Sequence, residues 1–462
     1  MKIGVFTIAS KNYLAYARTL MASVKEHLPE YRRYLCLADE VSGEFEPSKE
    51  VFEVIQADQI GIDSFQDMTI RYDIMEFNTA VKPFMIEWLF NNTDLDVVIY
   101  LDPDIQVFSK FDRLEAVIER GASVVLIPHI TRPVEDGSNP NDHTMLQAGV
   151  FNLGFIAVRR CEEARQFIRW WGRRLKTQCA SDFSRNLFTD QRWCDLAPCF
   201  LNNLHVFKDP GYNIAYWNLM QRKVEHTAEG KWLVDSQPLV FFHFSGVSAD
   251  NRELVSKHQN RFNWNDIELL QPLFKAYLDN LHLAGWKACK NWDYAYSVIK
   301  PSLKIATVMR QFYREKHPET VFYEENNISS YLINLCNQPS SINAYGDETI
   351  ITELMMYIYQ IRPDLRAAFS LATQEGRRGF AHWFEISAVR DYGLPQQVMR
   401  QLLSCEKEEP PGLKKRIIRI ILSLMHLLRK QAVQFGEYLP EVARNKLKYV
   451  WRKFELTLFQ NL

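Results

Sequence analysis

The sequence predicts an α/β domain over residues 1–284, an α-helical domain over 285–405, and a linker with a basic amphipathic helical tail over 406–462. Three observations predict this. Through roughly the first 130 residues, short apolar runs alternate with segments of helical spacing, the pattern of a sheet covered by helices on both faces. After residue 285 the strand-like runs fade and helical periodicity takes over. Glu408-Glu409-Pro410-Pro411-Gly412 then interrupts the chain ahead of a segment dense in Lys and Arg.

Taken in order, Ile3–Ala9 reads as a first strand, and Tyr13–His27 as a helix with Leu14, Ala17, Leu20, Met21 and Val24 on one side. Tyr34–Ala38 and Val51–Ile55 read as strands, Ala80–Phe90 as a helix, and Val97–Leu101 and Ser123–Ile127 as strands. Arg132–His143 holds Pro133, Gly137 and Pro140 and reads as a long loop, a feature that in compact domains is usually a functional lid or disordered. Gly149–Val158 returns as a strand, Glu162–Leu175 as a helix, and Val240–Phe244 as a late strand. Ser302–Arg314, Thr349–Ile361, Pro363–Leu371 and Arg377–Val389 carry helical spacing. In the tail, Lys414, Lys415, Arg416 and Arg419 lie beside an apolar stripe of Ile417, Ile418, Ile421 and Leu424. Such a helix suits an anionic membrane surface or a partner helix ahead of the alternative, a helix docked on its own core with a solvated basic face.

With 462 residues the chain has room for two or three domains, and its net charge of −1 argues against a general nucleic-acid binder. The eight Cys form no paired CxxC motif, with Cys194 and Cys199 the closest, so no zinc spacing is present. The chain opens directly on a strand, and no apolar run reaches about 18 residues. The expected location is therefore cytoplasmic, with the tail allowing peripheral contact at the inner face of the cell membrane.

The segment that points most directly to chemistry is Val97-Val98-Ile99-Tyr100-Leu101-Asp102-Pro103-Asp104. In an extended chain, residues i and i+2 share a face, so Asp102 and Asp104 can converge just beyond a strand end, where α/β sheets bind ligands. Convergent carboxylates there suit a divalent cation and an anionic ligand such as a diphosphate; a polar turn uses the same residues. Thr7-Ile8-Ala9-Ser10-Lys11-Asn12-Tyr13 offers small residues for close backbone approach and Tyr13 for stacking on a base. Ser10 or Asn12 also reads as a helix N-cap. Asn152 in Phe151-Asn152-Leu153-Gly154 and Gln191 in Thr189-Asp190-Gln191 carry amides suited to sugar hydroxyls. Asp190 suits hydroxyls or a developing positive charge, or a cap on the helix containing Trp193. His243 ends the late strand before Phe244-Ser245-Gly246; a lone His after an apolar run reads as a core histidine with its polar atoms satisfied, but beside two carboxylates an imidazole makes a Mn²⁺ site.

In this order the motifs resemble those of retaining glycosyltransferases with the Rossmann-like GT-A fold, most nearly the glycogenin/LgtC-like group, family 8, over roughly residues 1–265. The resemblance implies Asp102, Asp104 and His243 as ligands of Mn²⁺ (or Mg²⁺). It implies donor-binding roles for Thr7, Ala9, Asn12, Tyr13, Asp102, Asn152 and Gly246, and catalytic roles for Lys82, Asp190 and Gln191. The family often continues its His motif with Gly-x-x-Lys-Pro-Trp, whose Lys holds the diphosphate; here Gly246 is followed by Val247-Ser248-Ala249-Asp250, and Lys257 and His258, a little later, are expected to replace that function, with Lys257 binding the donor. Arg362-Pro363-Asp364-Leu365 and His382-Trp383-Phe384 resemble helical regions attached to bacterial surface-polysaccharide glycosyltransferases.

The implied reaction moves a sugar from a UDP-sugar to a hydroxyl of a glycan, lipid-linked or protein acceptor, with retention, in bacterial glycan synthesis or protein glycosylation. An inverting enzyme using Asp142 or Glu135 as base is one alternative. A nucleotide-binding, membrane-associated scaffold without catalysis is another. A nucleotidyltransferase fits less well, since Ser10-Lys11 replaces a Gly-rich basic loop.

Overall fold

A computed structural model describes residues 1–43, 45–299, 302–320, 328–345, 349–395 and 397–398. The expected tail at 406–462, and with it the expected membrane contact, lies outside the described residues. The described chain divides into two compact units. The first comprises Met1–Ser297 with residues 317–320, the second Val298–Lys316 with the described residues from Ile328 onward.

The first unit opens with β1 (Ile3–Ala9), α1 (Leu14–His27), β2 (Arg32–Leu37) and β3 (Glu53–Gln56), then α2 (Phe65–Arg71), α3 (Ile74–Ala80) and α4 (Lys82–Asn92). β4 (Val97–Leu101), β5 (Ile105–Val107), α5 (Asp112–Glu119), β6 (Val124–Pro128), α6 (Asp142–Ala148), β7 (Phe151–Arg159) and α7 (Glu162–Leu175) follow. Then come the short pair β8 (Ser181–Asp182) and β9 (Leu187–Phe188), α8 (Ala197–Phe200) and β10 (Leu204–Val206). A three-stranded ribbon, β11 (Val224–His226), β12 (Trp232–Val234) and β13 (Gln237–Pro238), leads to β14 (Phe241–His243), α9 (Gln271–Leu283) and α10 (Trp286–Cys289).

Seven strands form one sheet in the order β10-β6-β7-β4-β1-β2-β3. All pairs are parallel except those of β7, which runs antiparallel to both β4 and β6. Both faces are covered, as the apolar runs require. Val5, Ile99 and Leu101 pack with Leu20, Met21 and Val24 of α1 in one core layer. Phe6, Val98 and Tyr100 pack with Met85 and Leu89 of α4 and Trp171 of α7 in the other. The strand side chains thus alternate between layers with the period of two that extended backbone imposes.

The helix expected over Ala80–Phe90 is in fact the second of two. α3 begins with a capping box of Asp73 and Glu76, and α4 starts afresh at Lys82 with Pro83 in its first turn, where the missing N–H costs nothing.

The second unit is mostly helical: β15 (Val298–Ile299), β16 (Leu303–Lys304), α11 (Thr307–Lys316), α12 (Ile328–Asn337), α13 (Glu353–Ile361), α14 (Pro363–Ala368), α15 (Gln374–Trp383) and α16 (Val389–Tyr392). The expected helix over Ser302–Arg314 is corrected at its start. Leu303 is buried and Lys304 exposed, an alternation that suits a strand, and they pair with Ile299 and Val298. Thr352 caps α13 by accepting from Met355 N, which delays the helix expected from Thr349. Among the described residues no helix is long and apolar enough to cross a membrane.

Candidate metal centre

β1 and β4 pair in parallel, Phe6 opposite Tyr100, so their carboxyl ends reach the same sheet edge. Asp102 leaves β4 with its N–H donating to Gly154 O of β7 at 2.8 Å. The chain then turns sharply: Ile105 N donates to Asp102 O at 3.1 Å, with Pro103 at the turn position its fixed φ favours. The extended and turn readings of this segment are therefore both partly right. It is a tight turn, and the turn still aims both carboxylates one way.

The turn feeds directly into β5, which pairs antiparallel with β14, Ile105 opposite His243. Phe244 N donates to Asp104 O at 2.9 Å and His243 N to Ile214 O at 2.7 Å. This pairing sets His243 Nε2 3.0 Å from Asp104 Oδ1 and 3.6 Å from Asp102 Oδ2. One ligand atom from each of the three lies within 4.8 Å of the others. That spread fits one divalent cation with bonds of about 2.0–2.6 Å, and a set of two carboxylates and one imidazole suits Mn²⁺ or Mg²⁺.

His243 forms the buried floor of the group, and the carboxylates stand nearer solvent, Asp102 at 30% and Asp104 at 15% side-chain exposure. Burial raises the Asp102 carboxyl above its ordinary pKa, against the pull of Lys82 and His243. Burial lowers the His243 imidazole, but Asp104 and Asp102 outweigh it and hold the ring above its ordinary value. Tyr100 Oη donates to Asp102 Oδ1 at 2.6 Å and fixes that carboxylate. Gly154 makes room for the group: a Cβ there would lie 2.4 Å from His243 Cε1 and 2.8 Å from both Asp102 Oδ2 and Asn152 Oδ1.

Beside the triad lies a buried ion pair. Lys82 Nζ sits 2.5 Å from Asp190 Oδ2 and 2.7 Å from Leu153 O, above the Tyr100 ring. Asp190 stands at the N-cap position of the short helical turn after it, yet its side chain caps nothing and turns to Lys82 and to Thr189 Oγ1. Gln191 is pinned between backbones, donating to Ala148 O at 2.8 Å and accepting from Leu153 N at 3.1 Å.

At the end of β1, Thr7 and Ala9 are buried, and Thr7 Oγ1 has no protein partner. Asn12 accepts from Ser10 Oγ, so neither of them caps α1. Tyr13 is 39% exposed and stacks on Tyr16 with ring centres 4.0 Å apart. Burial first, then the charge of Asp104, push its hydroxyl pKa up. Gly246 has φ +74°, and a Cβ would strike Ser256 Oγ and His258. Lys257 is exposed, its N–H bonded to Gly246 O. Asp142 accepts from Val134 N within the long loop, whose end forms α6, and Glu135 is exposed.

Sequence reasoning missed four groups. Lys11 and Asp39 form a buried pair at 2.9 Å, and Asp39 also accepts from Ala295 N. Behind His243, Asn213 Oδ1 meets His243 Nδ1 at 3.2 Å, and Asn213 Nδ2 donates to Asn152 Oδ1 at 3.0 Å. Asn152 Nδ2 meets His129 Nε2 at 3.2 Å. Trp217 lies edge-on to both imidazoles, 5.3 Å from His129 and 5.1 Å from His243. The one local signal was the density of Asn and aromatic residues in Tyr212-Asn213-Ile214-Ala215-Tyr216-Trp217-Asn218.

No family model matches the chain. Two relatives come from Bacillus subtilis (strain 168), and both are uncharacterized. YfnD is 25% identical over 284 residues, 60% of this chain and 87% of that protein. YfnF is 27% identical over 220 residues, 45% of this chain and 69% of that protein. Among solved structures, the chain is similar to the galactosyltransferase LgtC in complex with donor and acceptor sugar analogs, at 14% identity and a TM-score of 0.37, covering 60% of this chain and 95% of that one. It is also similar to the glycosyltransferase GlyE of Streptococcus pneumoniae TIGR4, at 15% identity and a TM-score of 0.36, covering 63% and 62%.

Proposed function

We propose that this chain is a metal-dependent glycosyltransferase that moves a sugar from a UDP-sugar to an acceptor hydroxyl with retention of anomeric configuration. The observation that carries this reading is the convergence of Asp102, Asp104 and His243 on one point at the carboxyl ends of β1 and β4. In an α/β sheet that edge is where a nucleotide would sit. Asp102, Asp104 and His243 would hold Mn²⁺, which when bound supplies positive charge to a departing diphosphate.

The chain's own groups account for the rest. The Tyr13 face, stacked on Tyr16 and partly exposed, offers a platform for the base. The exposed Lys257 offers a cation to the diphosphate. Lys82 is committed to Asp190, so its part is to balance and orient that carboxylate rather than to bind phosphate. Asp190 and Gln191, held by Lys82 and by the backbones of Ala148 and Leu153, flank the space where positive charge develops at the anomeric carbon. Acceptors in keeping with this reading are glycan, lipid-linked or protein hydroxyls.

The test is Mn²⁺-dependent release of UDP from a panel of UDP-sugars. Asp104→Asn keeps the shape of the side chain and removes one charged ligand. It is expected to cut release more than about 100-fold, beyond the loss typical of outer-shell changes. Release at the wild-type rate from that variant sinks the metal reading. NMR of the glycosidic product then reads the stereochemistry, and an inverted product overturns retention.

A further inference from the structure

Four buried side chains run in single file from a backbone carbonyl to the metal triad, and their hydrogen bonds are laid out in one direction of donation. The file begins at Val150 O, 3.3 Å from His129 Nδ1. A carbonyl only accepts, so His129 Nδ1 carries a proton. Burial drives the His129 pKa down to about 4, so the ring is neutral near pH 7 and its Nε2 is bare. A bare Nε2 accepts, so the Asn152 amide nitrogen faces it at 3.2 Å and Asn152 Oδ1 faces the other way. That oxygen receives Asn213 Nδ2 at 3.0 Å, which turns Asn213 Oδ1 toward His243 Nδ1 at 3.2 Å. An amide oxygen only accepts, so His243 Nδ1 carries the proton.

We propose that His129, Asn152 and Asn213 are positioning residues that fix His243 in the tautomer whose Nε2 lone pair faces Asp102 and Asp104. The proposal rests on the reading of His243 as a metal ligand and extends it to the residues behind it. Metal-bound histidines generally give their second nitrogen to such a partner, which sets ring orientation and ligand basicity. Here that partner is itself oriented by two further residues.

The frame around the file is stiff. Asn213 holds φ +55°, a left-handed conformation that Asn tolerates better than most residues. Asn218 Nδ2 donates to the backbone carbonyls of both Asn213 (2.9 Å) and His129 (3.3 Å), bracing the first and third members of the file. The edge-on Trp217 fills the space between the two imidazoles. Asn152 therefore spends one donor and one acceptor inside the protein. Both serve the support of His243.

Two measurements on the full chain test this. The first is ¹⁵N–¹H correlation spectroscopy of histidine-labelled protein near pH 7, with His129→Gln used for assignment. A proton on Nδ1 of His129 and a bare Nε2 are expected; a proton on its Nε2 reverses the file and overturns the proposal. The second compares two variants of similar volume. His129→Leu removes the acceptor for Asn152, whereas His129→Gln restores one at a similar reach. Mn²⁺ affinity, read by electron paramagnetic resonance, is expected to fall about 10- to 100-fold in H129L and to stay within about threefold of wild type in H129Q. Equal losses in both variants, or none in either, overturn the proposal. If wild type binds no Mn²⁺, the metal reading itself fails, and the His129 tautomer still decides the direction of the file.

Discussion

At the scale of single residues, Gly154 shows how little tolerance the site has. It lies on β7 beside the Asp102 turn, and three groups of the site close over its Cα. A methyl group there would overlap the His243 ring and crowd Asp102 and Asn152. None of these is the free end of a flexible chain: His243 is held by Asn213, Asp102 by Tyr100, and Asn152 by His129 and Asn213. Gly154→Ala is therefore expected to cost about 1–3 kcal/mol by overpacking, and to weaken Mn²⁺ binding at least about tenfold by displacing His243. Urea unfolding and a Mn²⁺ titration read the two effects separately; unchanged values in both contradict this account. Asp102 and His243 were legible because each closes an apolar run, where the pattern itself marks a sheet edge, and Asp104 because it stands two residues beyond Asp102. Asn213 and His129 were not. Asn213 acts through His243 and Asn152, 30 and 61 positions away, and His129 through Asn152, 23 positions away; beyond the density of Asn and aromatic residues around Asn213, local sequence marks none of these contacts.

At the scale of elements, the site depends on a pairing between two strands of three residues each, β5 and β14. The apolar run before His243 marked β14. β5 was invisible as a strand, because Ile105-Gln106-Val107 is too short to show a period. Yet this pairing, not the strand before Asp102, brings His243 to Asp104. α9, also unmarked in the sequence reading, holds the pairing in place. The Phe244 ring stacks on Tyr277 at 3.8 Å and meets Phe274 edge-on, while its N–H bonds to Asp104 O. Phe244→Ala is expected to cost about 3–5 kcal/mol from the void it leaves, and to weaken Mn²⁺ binding through slack in the neighbouring His243. Phe244→Leu, which keeps most of the volume, should recover much of both. Guanidinium unfolding showing less than about 1 kcal/mol of loss for the Ala variant would mean that α9 does not clamp the strand.

At the scale of the whole molecule, the first unit is not a continuous stretch of chain. Strand-like runs end near residue 285, but residues beyond it still complete the first unit. Ala295 N donates to Asp39, and Tyr296 packs edge-on against Phe65 and Phe77. Farther on, the Arg71 guanidinium, buried in α2 with Asp67, donates to the carbonyls of His317 at 2.7 Å and Glu319 at 3.0 Å, 246 and 248 positions later. Composition and periodicity cannot reveal this return, because backbone carbonyls are the acceptors and any sequence supplies them. The consequence is measurable. A chain ended after residue 297 removes two hydrogen bonds to a buried cation, each worth about 1.5–3 kcal/mol, and a chain ended after residue 320 keeps both. The shorter chain is expected to be less stable by at least about 3 kcal/mol, which lowers the midpoint of thermal unfolding by roughly 5 °C or more. Arg71→Met in the longer chain should lose the same bonds, and should lose more stability still because the buried ion pair with Asp67 goes with them. Coincident melting of the two truncated chains would show that the return segment adds nothing to the unit that holds the metal centre.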